Sequence, residues 1–354
     1  MRIGIDGREI RHYLTGLGRV VLDLLRYSEN YSEFEFFLFG NQYTDFSKIP
    51  RNVKTYMIEE NITFLWDQIV LNNLIKEHKI DLFFSPYYKV PLMCKIPMIM
   101  SVHDITYLIV EPYKKRLKNK FFIKNFIKIA SKKVKNIVTC SNYTKNDLIN
   151  LLKIKEEKIV VVYDSISERF SPRSEKEICE FKKKYNINKK YILYVGNSNP
   201  HKNLSRLITA YNNLPEKIKE EYFLVLAGVG KKFLIKDDKI LAIPFVSEDD
   251  LPALYSGATI FVFPSLYEGF GLPPAEAMAC GCPVVSSNVS SMPEVLGDAC
   301  LYFNPYNVNE IGSTIQMLIE NKYLQYELRQ KGLNRVKIFT PENMIKNLLN
   351  IFSL

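Results

Sequence analysis

The feature that most constrains this chain is a rhythm: short β-branched apolar runs alternate with longer amphipathic stretches along nearly its whole length. In the first half FEFFLFG, DLFFSPYY, IPMIMSVHD and NIVTCS have strand character, while VVLDLLRYS and residues 67–78 have helical spacing. The second half repeats the pattern with YILYVG, YFLVLAG, ILAIPFV, TIFVFPS, GCPVVSS and ACLYF. Its helices are expected to start near Ser205, Asp249, Pro274, Val308 and Lys322. Strands separated by helices join through crossovers, which give parallel sheets, so the expected class is α/β.

A length of 354 residues suits about two such domains. The run IVVVYDSISERFSPRSEKEI passes from strand into Ser, Pro and charge, which places the division between Asp164 and Arg173. The expected domains are therefore 1–165 and 166–340. An amphipathic helix over 341–354 follows, with Met344, Leu348, Leu349 and Phe352 on its apolar side, to pack on either half.

Composition narrows the setting. The N-terminal MRIGIDGREI has no apolar core of a secretory signal, and no apolar run nears the ~18 residues that span a bilayer. Six cysteines without a C-x-x-C spacing argue against a disulfide scaffold or zinc site, so a reducing cytoplasm is expected. The net charge of +10 is local, because residues 111–135 hold nine Lys, one Arg and one Glu. That segment reads either as a solvated basic helix with an apolar stripe (Phe122, Phe126, Ile129) in the core, or as a surface for an anionic membrane. No nucleic-acid-binding motif accompanies the charge, so nucleic acid is not an expected partner.

In open α/β sheets ligands bind at the carboxyl ends of strands. The stretch LYEGFGLPPAEAMACG joins such an end to a helix start. It sets Glu268 before a glycine-broken loop and Glu276 one turn into the helix. Unpaired amides and the macrodipole make a helix start an anion site, with a carboxylate on each side for sugar hydroxyls. The plainer reading is a dipole-complementing Glu276 and a solvated Glu268. Three further loops stand out: TGLGRVV with Gly16, SVHDITYL with His103 and Asp104, and YVGNSNPHKNLSRLI with Gly196, Asn197 and Lys202. Taken alone, each is also compatible with a structural role. Asp104 could orient His103, cap the next segment or help bind an acceptor. Ser247 reads as the N-cap of the helix near Asp249, with Asp250 three residues on.

The run PSLYEGFGLPPAEAMACGCPVVSSNVSSMPEV, with seven residues between Glu268 and Glu276, resembles the E-x7-E region of retaining glycosyltransferases of family 4. The resemblance extends from Arg2 to about Phe339. It implies the GT-B fold, two Rossmann-like domains facing across a cleft, and transfer of a sugar from a nucleotide-sugar donor to a glycan or lipid-linked glycan. It implies that Glu276 binds the donor ribose and Glu268 the transferred sugar, while the amides of Phe270, Gly271 and Leu272 hold sugar and diphosphate. It gives Lys202 the diphosphate, Gly196 a close backbone approach, Gly16 the diphosphate or acceptor, Val246 the base, and His103 a sugar hydroxyl. Several members carry arginine just after the glycine of the Lys202 loop. Here Asn197 stands there, so Lys202 acts alone, or with Arg206 or a basic residue of the first half. WDQ at Trp66–Gln68 and SPYYKVPL resemble the mannosyltransferase-like branch, which favours GDP-mannose. No metal and no cofactor are implied. The rival classes are a GT-B nucleotide-sugar epimerase and a non-enzymatic basic adaptor for membrane or nucleic acid.

Overall fold

The computed structural model describes residues 1–12, 16–111, 117–231, 233, 235 and 237–353, the side chains of 117–120 excepted. Thr15, ahead of Gly16, and Pro112–Arg116 of the basic segment lie outside the described residues. The chain divides into two compact units. One holds Met1–Leu108, Arg116–Ser165 and Pro341–Leu354; the other holds Ile109–Lys115 and Ile166–Thr340.

The first unit contains β1 (Arg2–Asp6), β2 (Glu35–Gly40), β3 (Lys54–Met57), β4 (Leu82–Ser85), β5 (Met98–Ser101), β6 (Asn136–Thr139) and β7 (Ile159–Val161). They form one sheet in the order β3-β2-β1-β4-β5-β6-β7, parallel at each pairing. The second unit contains β8 (Lys190–Val195), β9 (Tyr222–Ala227), β10 (Ile240–Ile243), β11 (Ile260–Phe263), β12 (Val284–Ser287) and β13 (Cys300–Phe303). Its sheet, also parallel throughout, runs β10-β9-β8-β11-β12-β13. Central strands such as IFVF of β11 and LFFS of β4 are buried at every residue. A parallel strand has helices on both faces, which is why these strands read as continuous apolar runs.

The closing helix Pro341–Ser353 belongs to the first unit. Its Met344, Ile345, Leu348 and Leu349 join one core cluster with Val21, Leu24 and Leu25 of helix Gly16–Tyr27. Phe352 meets Phe84 of β4 with ring centroids 5.4 Å apart. Each such buried side chain contributes about 1.5–3 kcal/mol, so the helix is integral to this core.

Two elements differ from the expectation. Strand β3 (KTYM) was not anticipated: it lies on the sheet edge, three of its four residues are exposed, and it carries no apolar run. Helical backbone starts at Thr63 rather than 67, with a π-helical turn over Trp66–Val70.

Candidate functional site

In the second sheet the strand order reverses between β8 and β11, since successive strands depart from that pair in opposite directions. Loops after two such strands leave a crevice, the usual ligand position in this fold class. The loop after β8 carries Gly196, Asn197 and Lys202; the loop after β11 carries Glu268 to Gly271. Lys202 Nζ lies 2.6 Å from Glu268 Oε1, with the two side chains only 11% and 13% exposed. The ammonium also sits over the Phe263 ring, 5.2 Å from its centroid. Thus the residues singled out for the diphosphate and for the transferred sugar hold one another here.

The geometry around them is laced tightly. Leu266 N–H donates to the His201 carbonyl at 2.7 Å. Asn203, left-handed at φ 60°, donates through Nδ2 to the carbonyls of Pro264 and Pro305 at 3.0 and 2.8 Å. Ser290 Oγ accepts the Glu268 N–H at 3.1 Å, and Ser291 Oγ donates to the carbonyls of Glu268 and Phe270 at 3.1 and 3.2 Å. Met292 fills the space beneath Gly271, which adopts φ 93°. The segment SSM after β12 is therefore a support for the Glu268–Gly271 loop. Neither these serines nor Asn203 was anticipated, because their partners are distant in sequence.

Helix Leu272–Ala279 starts on Gly271 and has prolines at its second and third positions. Proline has no N–H, so the prolines remove two of the four donors that a helix start leaves unpaired. The amides of Gly271 and Leu272 remain, with no acceptor among the described residues. Phe270 is buried, its ring edge-on to Phe339. Glu276 is also buried, and its Oε2 accepts from the Tyr255 hydroxyl at 2.9 Å. Gly196 lies in the left-handed range at φ 152°, and a Cβ there would meet the Tyr194 hydroxyl at 2.6 Å. That hydroxyl donates to the Asn197 carbonyl at 2.8 Å, while Asn197 Oδ1 accepts the Asn199 N–H. Arg206 donates to Asn203 Oδ1 and covers Tyr306, so it braces the loop beside Lys202. Val246 is buried after β10. Ser247 and Asp250 close a turn ahead of the helix, which itself begins at Leu251.

In the first unit His103, Cys140 and the nearby Asp164 follow adjacent strands β5, β6 and β7. His103 Nδ1 is 3.3 Å from Asp164 Oδ1, and its carbonyl accepts from Cys140 Sγ and Thr144 Oγ1. Burial disfavours charge on the imidazole, but the Asp164 carboxylate outweighs it and raises the His103 pKa. Of the three roles open to Asp104, capping has a hydrogen bond behind it: Oδ1 accepts the Thr106 N–H at 2.8 Å. His103, Cys140 and Asp164 bring three ligand-type atoms within 4.8 Å of one another. Gly16 opens helix Gly16–Tyr27 and is exposed. The WDQ residues have structural partners. Trp66 stacks under Arg8, Asp67 accepts from Arg8 at 2.5 Å, and Gln68 pairs with the backbone of Val90 and Leu92.

The basic helix Leu117–Lys133 divides its apolar residues. Ile127 and Ala130 face the core, whereas Phe121 and Phe122 are 71% and 59% exposed. With Phe64, Leu92, Asn125, Phe126 and Ile129 they line an open apolar groove of about 790 Å³. The core-stripe reading of Phe122 and Ile129 is thus corrected: the inward face of the helix is offset from theirs.

Comparison with known proteins decides what this architecture is. Residues 14–169 match the model of Glycosyltransferase Family 4, and residues 176–335 that of Glycosyl transferases group 1. The chain belongs to glycosyltransferase family 4. It is 28% identical to the O-antigen chain mannosyltransferase B of Escherichia coli, over the full length of both chains. It is 31% identical to the O-antigen chain mannosyltransferase RfbU of Salmonella typhimurium, over 67% of this chain and 64% of that one. Its fold matches sucrose-phosphate synthase from Thermosynechococcus elongatus with a TM-score of 0.83, covering 100% and 98% of the two chains at 16% identity. The two parallel-sheet units of this family 4 chain are thus those of the GT-B glycosyltransferases.

Proposed function

We propose that this glycosyltransferase takes mannose from GDP-mannose and adds it, with retention and without a metal ion, to a glycan or lipid-linked glycan. The observation that carries the reading is the Lys202–Glu268 pair beside the acceptor-free amides of Gly271 and Leu272, at the reversal of strand order. The mannosyltransferase names of the full-length and partial relatives support the sugar. An ammonium and a helix start supply the positive charge that a divalent cation supplies to diphosphates elsewhere.

In this reading the diphosphate takes Lys202 from Glu268 and accepts the amides of Gly271 and Leu272. Glu268, once released, accepts from hydroxyls of the transferred sugar. Glu276 receives the ribose hydroxyls in an orientation set by Tyr255, Val246 lies at the base, and Gly196 lets the backbone approach. Gly16 and Phe270 keep the lesser donor-side roles implied by the resemblance, and His103 holds a sugar hydroxyl. The acceptor hydroxyl attacks the anomeric carbon on the face the diphosphate leaves. The bond from that carbon to phosphate oxygen breaks, and the hydroxyl proton passes to the departing phosphate. No resident cofactor takes part.

The donor is tested by thermal unfolding with GDP, UDP, ADP and their sugar conjugates. At about 100 times its dissociation constant a ligand adds roughly 2.7 kcal/mol, a rise of several degrees. GDP and GDP-mannose should give that rise, and Glu276→Ala should abolish it at the same concentrations. A rise with UDP alone overturns mannose as the donor sugar, and no rise with any nucleotide overturns the donor site.

Peripheral attachment to the inner face of an anionic membrane completes the proposal, supported by the apolar groove on a lysine-rich helix. No helix among the described residues is long and apolar enough to cross a membrane. Exposed Phe121 and Phe122 enter the acyl region while lysines meet anionic headgroups, each worth about 1 kcal/mol. Replacing both phenylalanines by serine removes at least ~1.5 kcal/mol per ring. Co-sedimentation with vesicles containing phosphatidylserine should then fall by at least ~tenfold. Unchanged sedimentation would remove this face from the account.

A further inference from the structure

We infer that Asp164 is a positioning residue for His103, holding the imidazole by Nδ1 so that Nε2 is presented as a hydrogen-bond donor to a sugar hydroxyl. The inference rests on the reading of His103 as a sugar contact, and its geometry is local to the first unit. Three adjacent parallel strands, β5, β6 and β7, end in His103, Cys140 and the turn leading to Asp164. Asp164 Oδ1 lies 3.3 Å from Nδ1, and both side chains are largely buried. A thiol donor, Cys140 Sγ, and a hydroxyl donor, Thr144 Oγ1, fix the His103 carbonyl from the β6 side. Nε2 is buried and has no hydrogen-bond partner among the described residues. A buried polar atom left unmatched is costly, and such atoms concentrate where a ligand completes the bond.

Charge reinforces the geometry. The ionisable groups around the ring are Asp164 after β7, Cys140 after β6, Asp104 on the same loop, and Tyr87, Tyr88 and Tyr107 lining the adjoining pocket. The two acids both favour the imidazolium, and together they outweigh its burial. The active form is then His103 protonated on both nitrogens, Nδ1–H on Asp164 and Nε2–H toward substrate. Because the pKa is raised, that form prevails at low pH and is lost as pH rises through it.

The test combines imidazole NMR with kinetics. The chain has four histidines, so long-range ¹H–¹⁵N spectra can resolve each ring. His103 of the unaltered protein should titrate above an ordinary imidazole, with Nδ1 protonated throughout. Asp164→Asn, which keeps an acceptor but not the charge, should lower the proton affinity of His103 about tenfold, one pKa unit. Its turnover should fall off at lower pH than wild type yet recover under acid conditions. Asp164→Ala should lose kcat by ten- to a hundredfold with donor affinity unchanged. An unmoved His103 titration in Asp164→Asn, or wild-type kcat in Asp164→Ala, overturns the assignment. So does activity removed by a chelator and restored by zinc, which would make the His103, Cys140 and Asp164 trio a metal site. The wild-type titration requires neither a folded variant nor transfer. A chain that moved no mannose would therefore refute the proposed function and leave the pairing to be decided by the spectra.

Discussion

Lys202→Met is expected to lower turnover by about two to three orders of magnitude, the usual effect of removing one preorganised group that meets developing transition-state charge. Methionine keeps much of the packing over Phe263 and removes only the ammonium. Donor affinity should fall less than kcat, because charge on the leaving diphosphate grows as the glycosidic bond opens. The same substitution strips Glu268 of its partner. A fully buried pair broken this way costs about 3–5 kcal/mol. Here both ends retain some exposure, so about 1–2 kcal/mol of lost stability is expected. Rate measurement with saturating donor and urea denaturation separate the two effects. A variant with normal kcat would show that the ammonium serves only to hold the loop.

Gly271→Ala should destabilise the protein by about 2–5 kcal/mol, read as a lower urea midpoint. Two causes add. Left-handed backbone costs a side-chain-bearing residue about 1–2 kcal/mol, and the observed φ of 93° falls in that region. A new Cβ would also lie 2.3 Å from Met292 Cε, and Met292 is fully buried. Overpacking of this kind costs about 1–3 kcal/mol. Met292→Ala in the same chain should relieve the steric part and leave the backbone part. The double variant is therefore predicted to be more stable than the sum of the two single losses. Strict additivity would mean that Met292 does not limit the loop.

Much of the fold could be read from the order of apolar runs, because a parallel strand covered on both faces must be apolar at nearly every residue. The runs that failed to register were those without that burden, as in edge strand β3 with its exposed lysine and threonine. The loop motif around Glu268 and Glu276 was legible for a related reason: glycines, prolines and acids at fixed spacing are all local requirements. Its support was not. Ser290, Ser291 and Tyr255 act on that loop from other elements, and Asn203 ties it to backbone well downstream. The His103 pairing shows the same limit. Adjacency in sequence pointed to Asp104, which caps the following turn, whereas adjacency across β5, β6 and β7 supplies Asp164. Only the strand order makes that partner visible.

The central claim is transfer of mannose, and the most direct measurement incubates the purified chain with GDP-mannose, a mannose-terminated acceptor and a chelator, then reads the products by NMR. The account predicts GDP and an acceptor lengthened by one α-linked mannose, the anomeric configuration of the donor. GDP-mannose converted to an epimer without any acceptor product, a β-linked product, or transfer that requires a divalent cation would contradict it.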